Sequence, residues 1–425
     1  MSFDSLVKRC AGGRQDSRKL EAYYCGDQRL DALGMGLPPT ARVLEMISSF
    51  PKLAVDVLVE ALNVEGFAMA DDDKTPSLLR RWWQANDLDT VSHLVWAEAL
   101  VQGLGFFIVG PGTDDTPRIT GHSAKGIAVD RDHMGDVVEA VRLYGPHDDR
   151  RAAHYTPGST AYYAKNAIGR WVLVETRSTG TDLIPVIPVA NQIRIDEPDG
   201  RSEMLEVMGL ADAESRSLTN LQVAQELLAL PQRYLFADGI EAFRDQNGNP
   251  IDKLQAYMSS VWTGPSDAKA GQFPGADLGQ IINVIKLYGQ KVSAITGIPP
   301  SMLGISTDNP ASAEAMRVAK ERLITKGEQK QHLFGDALES VMRVALAMYP
   351  PADEPQGVET LETVWRDVAT PSQSAKAANM LQAHSQGVLS GHTAREHLAL
   401  TPEQRSYEDK HDGDVGQLNR TVGIA

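Results

Sequence analysis

Only two of the 425 residues are cysteine. Cys10 and Cys25 stand near the N-terminus without metal-binding spacing, so free thiols in a reducing compartment are expected, not a disulfide framework or a zinc knuckle. Long apolar runs are missing too. The opening MSFDSLVKRCAGGRQDSRKL has no apolar leader segment, and the most hydrophobic later stretch, LVWAEALVQGLGFFIVG, is broken by Glu98, Gln102 and glycines. Neither secretion nor a membrane span is predicted. Basic charge is in deficit: 41 Lys and Arg face 56 Asp and Glu, a formal net charge of -15. That balance excludes tight wrapping of nucleic acid, because sequence-independent affinity for phosphate comes from Lys and Arg. An acidic surface is still compatible with loose contact with DNA.

Recognisable catalytic machinery is also lacking. There is no Gly-Lys dipeptide anywhere, which excludes a P-loop, since that loop needs a lysine beside its phosphate-cradling glycines. GLGFFIVG near Gly103 starts like a dinucleotide fingerprint but runs into a strand and lacks the third glycine. In GHSAKG the second glycine is one residue too late after Ser123 for a nucleophile elbow, and a turn is expected there instead. SFPK, Ser49 to Lys52, has Ser-x-x-Lys spacing with Pro51 in the helix that would aim the lysine, and no Lys-Thr-Gly follows. His384, His392, Glu396 and His397 miss the zinc-helix spacings, and Asp71, Asp72 and Asp73 lack the alternating ligands of a calcium loop. No catalytic residue, cofactor or metal is therefore expected.

What is present reads as a folded chain of more than one core, with 42% hydrophobic and 23% charged residues. Apolar residues recur at helical spacing from Ala41 to Val64 with a boundary at Pro51. A second helical region opens at Thr75-Pro76 and runs to about Val101. Short strands follow in FFIV, EAVRLYG, TAYYAK and RWVLVETR, the last two forming a hairpin across NAIG. LIPVIPVANQIR, with its prolines, suits an edge or connecting segment. Helical character returns from Glu203 to Ala229. Residues 231–276 are a compact, Gly- and Pro-punctuated excursion. The next helix keeps Leu278, Ile281, Ile285, Tyr288, Val292 and Ile295 in a 3-4 alternation, the pattern of a narrow packed seam. The fold class is thus α+β, predominantly helical.

That helix stops in ITGIPPSMLGISTDNPASAEAMRVAKERL, Ile295 to Leu323. Gly297 and Pro299-Pro300 end one helix, and Asn309-Pro310 starts another that runs toward Tyr349. After it Arg317, Lys320, Arg322, Lys326 and Lys330 outnumber Glu321 and Glu328, and Arg322, Lys326 and Lys330 stack at i+4. This stripe reads either as a solvated face or as a phosphate-facing one. A strand-like LETVWRDV and short helices, capped at Thr370 and at Ser390 or Thr393, complete the pattern.

In IPVIPVANQIR with GRSEM, in the Ile295–Leu323 stretch and in VWRDVATPSQSAKAANML, the chain resembles portal proteins of tailed double-stranded-DNA bacteriophages, the actinobacteriophage type in particular. The resemblance implies a ring of about twelve subunits at one capsid vertex, a non-enzymatic head-to-tail connector for DNA packaging and ejection. It implies a wing (1–202), stem helices (203–230 and 277–298), a clip (231–276), a tunnel loop (299–310), a long helix (311–350), and a C-terminal wing strand with short crown helices (351–425). The partners implied are further copies of the chain, terminase large subunit, major capsid and scaffolding proteins, the head-tail adaptor and passing double-stranded DNA, with no membrane. The location implied is the virion, after assembly in host cytoplasm. Ser306, Thr307, Asp308, Asn309, Arg317, Lys320 and Arg322 would lie near DNA, and the 278–295 seam would pack subunits. Two other readings stand beside it: a metal-dependent hydrolase or nuclease using Asp71–Asp73 and the histidines near His392, and a virion assembly protein without a channel.

Overall fold

In the computed structural model the described residues are 3–12, 16–30, 39–70, 74–113, 115–146, 149–166, 168–228, 233–236, 269–272, 278–305, 313–352, 355–369 and 373–388. Two helices without a predicted counterpart, α1 (Phe3–Gly12) and α2 (Ser17–Cys25), come first. The helical spacing after Ala41 divides into a 3-10 turn at Pro39–Leu44 and α3 (Phe50–Ala61), which has Pro51 in its first turn, where no N–H is missed. Strand β1 (Val64–Ala68) follows.

The helical region expected from Thr75 to Val101 is two helices, α4 (Lys74–Ala85) and α5 (Leu88–Gln102). Thr75 lies inside α4 rather than capping it. The break contains neither proline nor glycine. Asp87 takes φ 52, a conformation that Asp tolerates better than most residues. Asn86 holds the break: its Nδ2 donates to Trp82 O and Pro117 O, both at 2.9 Å, and its Oδ1 accepts from Ile119 N at 2.8 Å.

Next come β2 (Leu104–Thr113), β3 (Thr116–Ser123), β4 (Ile127–Arg131), β5 (Val137–Tyr144), β6 (Arg151–Thr156), β7 (Ser159–Lys165), β8 (Trp171–Ser178) and β9 (Val186–Ala190). They form an antiparallel three-stranded sheet, order β3-β2-β9, and a five-stranded meander from β4 to β8. Strand alternation makes β2 the partition between two cores. Leu104, Phe106 and Ile108 pack with Ile127, Val129, Ala140 and Tyr155 of the meander, while Phe107 and Val109 join the helices. On the meander's far face α1 sets Leu6 and Cys10 against Val141, Leu143 and Ala152. The predicted hairpin is β7 paired with β8. Pro188 sits in β9, an edge strand, as its missing N–H requires.

The second half is helical: α6 (Leu205–Leu228), α7 (Leu278–Thr296) and α8 (Ala313–Met348). Between α6 and α7, β10 (Arg233–Phe236) pairs antiparallel with β11 (Lys269–Gln272) inside the 231–276 excursion. Strand β12 (Glu362–Trp365) pairs with β1. The main core gathers Trp83, Trp96 and Leu100 with Phe334, Leu338, Val341 and Met342 of α8. A smaller cluster of Phe50, Ala54, Val207, Ala211 and Val292 joins α3, α6 and α7. Residues 45–49 are tied along α6: Met46 N donates to Thr219 Oγ1 at 3.0 Å, Ser48 N to Ser215 Oγ at 2.9 Å, and Ser48 Oγ to the buried Glu214 carboxylate. Residues 1–366 form one compact unit; a second begins at Asp367, and among its described residues is helix α9 (Gln373–Ser385). The α+β class holds, rich in helices, with no sheet closed into a barrel among the described residues.

Two glycines let the sheet meet α6. Gly200 has φ 66, and a Cβ there would stand 2.2 Å from the Gly103 carbonyl oxygen and 2.7 Å from Asn191 N. Gly200→Ala is expected to cost about 3 kcal/mol, from left-handed strain and the clash together. A lowered urea midpoint would register it.

Candidate functional site

The junction of α7 and α8 lies in the stretch that carried the family resemblance. Helix α7 ends because Gly297 takes φ 80, its N–H closing on Ser293 O at 2.9 Å. A Cβ on Gly297 would meet Arg322 Cγ at 3.1 Å and Leu323 N at 3.2 Å, so α8 crosses directly against this cap. Arg322 Nη1 donates to Ala294 O at 2.5 Å, a cation where the helix dipole favours one. Ile298 is buried in the main core, with its carbonyl accepting from Ser293 Oγ at 2.7 Å. A 3-10 turn at Pro300–Leu303 follows, closed by Gly304, and Leu303 packs on both neighbouring cores. Residues 299–305 are therefore an anchored turn.

Of the residues expected near DNA, Ser306, Thr307, Asp308 and Asn309 lie outside the described residues. Arg317 is within α8, but its side chain is outside them too. Lys320 is exposed. The basic stripe splits. Arg322 caps α7, while Lys326 and Lys330 turn inward, so for these two neither a solvated nor a phosphate-facing reading holds.

Both lysines converge on Glu203. Lys326 Nζ pairs with Glu203 Oε1, and Lys330 Nζ lies 3.2 Å from Oε2 and 2.5 Å from Asn191 Oδ1. Asn191 Nδ2 donates to Glu203 Oε2 at 3.2 Å and to Arg201 O at 2.7 Å, and Glu203 N donates to Leu100 O at 2.9 Å. Burial pushes the Glu203 carboxyl up, but the two ammonium groups outweigh it and hold the carboxyl below its usual range. Burial pushes Lys330 down against the pull of Glu203. The cluster ties β9, the start of α6 and the middle of α8 together. One signal for it was in the sequence: Lys330 stands in the apolar register of Leu323, Phe334 and Leu338, where a solvated lysine does not belong.

On α7, the C-terminal half of the predicted seam works within the chain: Val292 is fully buried, and Tyr288 and Ile295 pack with it against Val207, Leu210 and Ala211. Leu278, Ile281 and Ile285 are half-buried, whereas Ile282, Val284 and Leu287 are 42%, 39% and 48% exposed.

The doubtful motifs have structural occupations. Ser123 hydrogen-bonds Glu98 and caps the turn Ala124–Gly126, as expected of GHSAKG. Lys52 pairs with Asp56 at 3.1 Å and lies over the Tyr24 ring. Asp71–Asp73, His392 and His397 fall outside the described residues. Among the described residues no three His, Cys, Asp or Glu side chains gather as a metal site, and no helix is long and apolar enough to cross a membrane.

Comparison with known proteins covers all of these elements. Residues 14–408 match the family described as phage portal protein, SPP1 Gp6-like. The chain is 32% identical to the portal protein of Mycobacterium phage D29, covering 98% of this chain and 89% of that one. It is 31% identical to the portal protein of Mycobacterium phage L5, covering 98% and 88%. In fold it is similar to a chain in the neck of an empty gene transfer agent particle computed with C6 symmetry (TM-score 0.51, 15% identity). A chain in the neck of the native particle, computed with C12 symmetry, gives a TM-score of 0.50 at 14% identity. Each alignment covers 92% of this chain and 95% of the other.

Proposed function

This chain belongs to the phage portal protein family of the SPP1 Gp6-like type, and from that premise we propose that it assembles into a closed ring at one capsid vertex through which double-stranded DNA is packaged and ejected. The observation that carries this is a family match spanning residues 14–408, through every element from α2 to the C-terminal helices. The C12 symmetry of a neck containing a similar fold supports twelve subunits. Residues 1–202 form the wing, 203–230 and 277–298 the stem, 231–276 the clip, 299–310 the tunnel loop, 311–350 the long helix, and 351–425 the last wing strand and crown. The clip meets terminase large subunit during packaging and a head-tail adaptor afterwards, while capsid and scaffolding proteins contact the ring during assembly in host cytoplasm. Its work is mechanical, with no reaction catalysed.

Passing DNA is met by Ser306–Asn309, Arg317, Lys320 and Arg322 through its backbone phosphates, independent of sequence. The acidic balance of the chain keeps such contacts local. Negative-stain images of the purified protein are expected to show rings with a central hole; a monomer at every concentration overturns the reading. Replacing Thr307 and Asp308, or reversing Lys320, is expected to lower packaged DNA per particle several-fold with ring assembly intact. Lys320 is the cleaner basic residue to reverse, because Arg322 also holds the end of α7. Normal packaging by these variants would remove the loop from the DNA path.

A further inference from the structure

We propose that the free edge of β8 is a docking strand for an extended, acidic segment of another polypeptide, which adds to the meander beside β8. The inference does not rest on the ring. The β4–β8 meander ends at β8, which pairs with β7 alone among the described strands. An unpaired edge presents a row of backbone N–H and C=O groups, and proteins ordinarily protect it with proline, charge or a covering element. The sheet's other edge follows that rule. Strand β4 is five residues long, Ile127, Ala128 and Val129 are buried, and the Arg9 guanidinium donates to Val129 O at 3.0 Å.

Strand β8 departs from it. Its eight residues contain no proline, and Val172, Leu173 and Val174 are 48%, 53% and 67% exposed. A contiguous apolar run of this kind marks a surface that something covers. The register slips at Val174, because Tyr162 stands opposite Glu175 and Tyr163 opposite Leu173, so one bulge divides the edge. On one face of the sheet α1 gives out at Phe3, which stacks on Tyr163 with ring centres 4.3 Å apart and meets Trp171 edge-on at 6.3 Å. Leu173, the cross-strand partner of Tyr163, extends that aromatic floor into solvent. An added strand would lay alternate apolar side chains against Trp171 and Leu173 while its backbone bonded the edge.

Charge selects the occupant. Lys165 Nζ lies 5.3 Å over the Trp171 ring, and Arg170 is exposed in the turn before the strand; neither meets a carboxylate among the described residues. Farther along, Glu175 and Arg177 neutralise each other through hydrogen bonds of 2.7 and 3.0 Å. The edge thus keeps Lys165 and Arg170 unbalanced in a chain whose net charge is -15. This local reversal of sign beside an apolar strand attracts an acidic segment and repels a basic one.

The test uses the full chain and a short fluorescein-labelled peptide that alternates valine and glutamate. Fluorescence anisotropy is expected to show binding, about tenfold weaker when lysine replaces glutamate in the peptide. A similar loss is expected when two adjacent central residues of the peptide are proline, which interrupts its N–H row on both edges. Lys165→Glu with Arg170→Glu changes two exposed side chains, and is expected to reverse the preference in favour of the lysine peptide. No binding, equal binding of either control, or an unreversed preference overturns the proposal. Amides of residues 172–174 already protected from hydrogen exchange in the purified chain would put a second copy on this edge, and that result overturns it too.

Discussion

Glu203→Ala is expected to destabilise the chain by about 3–5 kcal/mol, the cost of leaving a buried ammonium group without its counter-charge. Lys330 is the group abandoned, since Asn191 Oδ1 alone does not neutralise it. Removing both charges, in Glu203→Ala with Lys330→Met, is expected to recover most of the loss, because a well-packed apolar pair avoids desolvation on both sides. Denaturant midpoints of the three variants measure this; a double variant as unstable as the single would show that packing, not charge, is at stake. The pH dependence has a definite sign. The Glu203 carboxyl is held below its ordinary 4.5, so its contribution is complete above that value and is lost as pH falls through the folded one. Lys330 is depressed from 10.5, so the unfolded chain binds that proton more tightly and stability also falls as pH drops below 10.5. Both groups make the native chain more stable as pH rises, and the Glu203→Ala penalty is expected to shrink in acid.

Trp96→Ala is expected to cost a similar amount, about 3–5 kcal/mol, through the cavity left by a fully buried indole. Trp96 stacks on Phe334 with ring centres 4.9 Å apart and 13° between planes, meets Phe107 edge-on at 5.7 Å, and lies 6.1 Å from Trp365. Four elements, α5, β2, α8 and β12, thus share one side chain. Trp96→Phe keeps the stacking and should lose far less. A double-mutant cycle with Phe334→Ala is expected to show about 1 kcal/mol of coupling between the two rings. Additivity would mean that they merely fill adjoining space.

Where structure follows from local chemistry, it was legible. Gly297 and the Pro299-Pro300 pair mark the end of α7 because one supplies φ 80 and the others bar further helix. The β7/β8 hairpin announces itself through alternating aromatic and β-branched residues around Asn166–Arg170. Pro188 points to an edge before any pairing is known. What escaped depends on distant partners. The α4/α5 break is made by Asn86 reaching Pro117 and Ile119, and no rule of propensity contains that contact. Strand β1 is five residues long and exists by pairing with β12, close to three hundred residues later. The inward turn of Lys326 and Lys330 depends on Glu203 and Asn191, which counting charges along α8 does not reveal.

The two N–H groups that tie residues 46–48 to α6 leave the chain no slack. Hydroxyls four residues apart on a helix are about 6 Å apart along its axis, and two residues of chain span about 7 Å at full stretch. The segment between Met46 and Ser48 is therefore pulled nearly taut, like a stay along a mast. One residue inserted between them would leave only one of the two N–H groups aligned with its hydroxyl. A mast stayed this way resists turning about its own axis, which fixes the faces that α6 presents to α3 and α7.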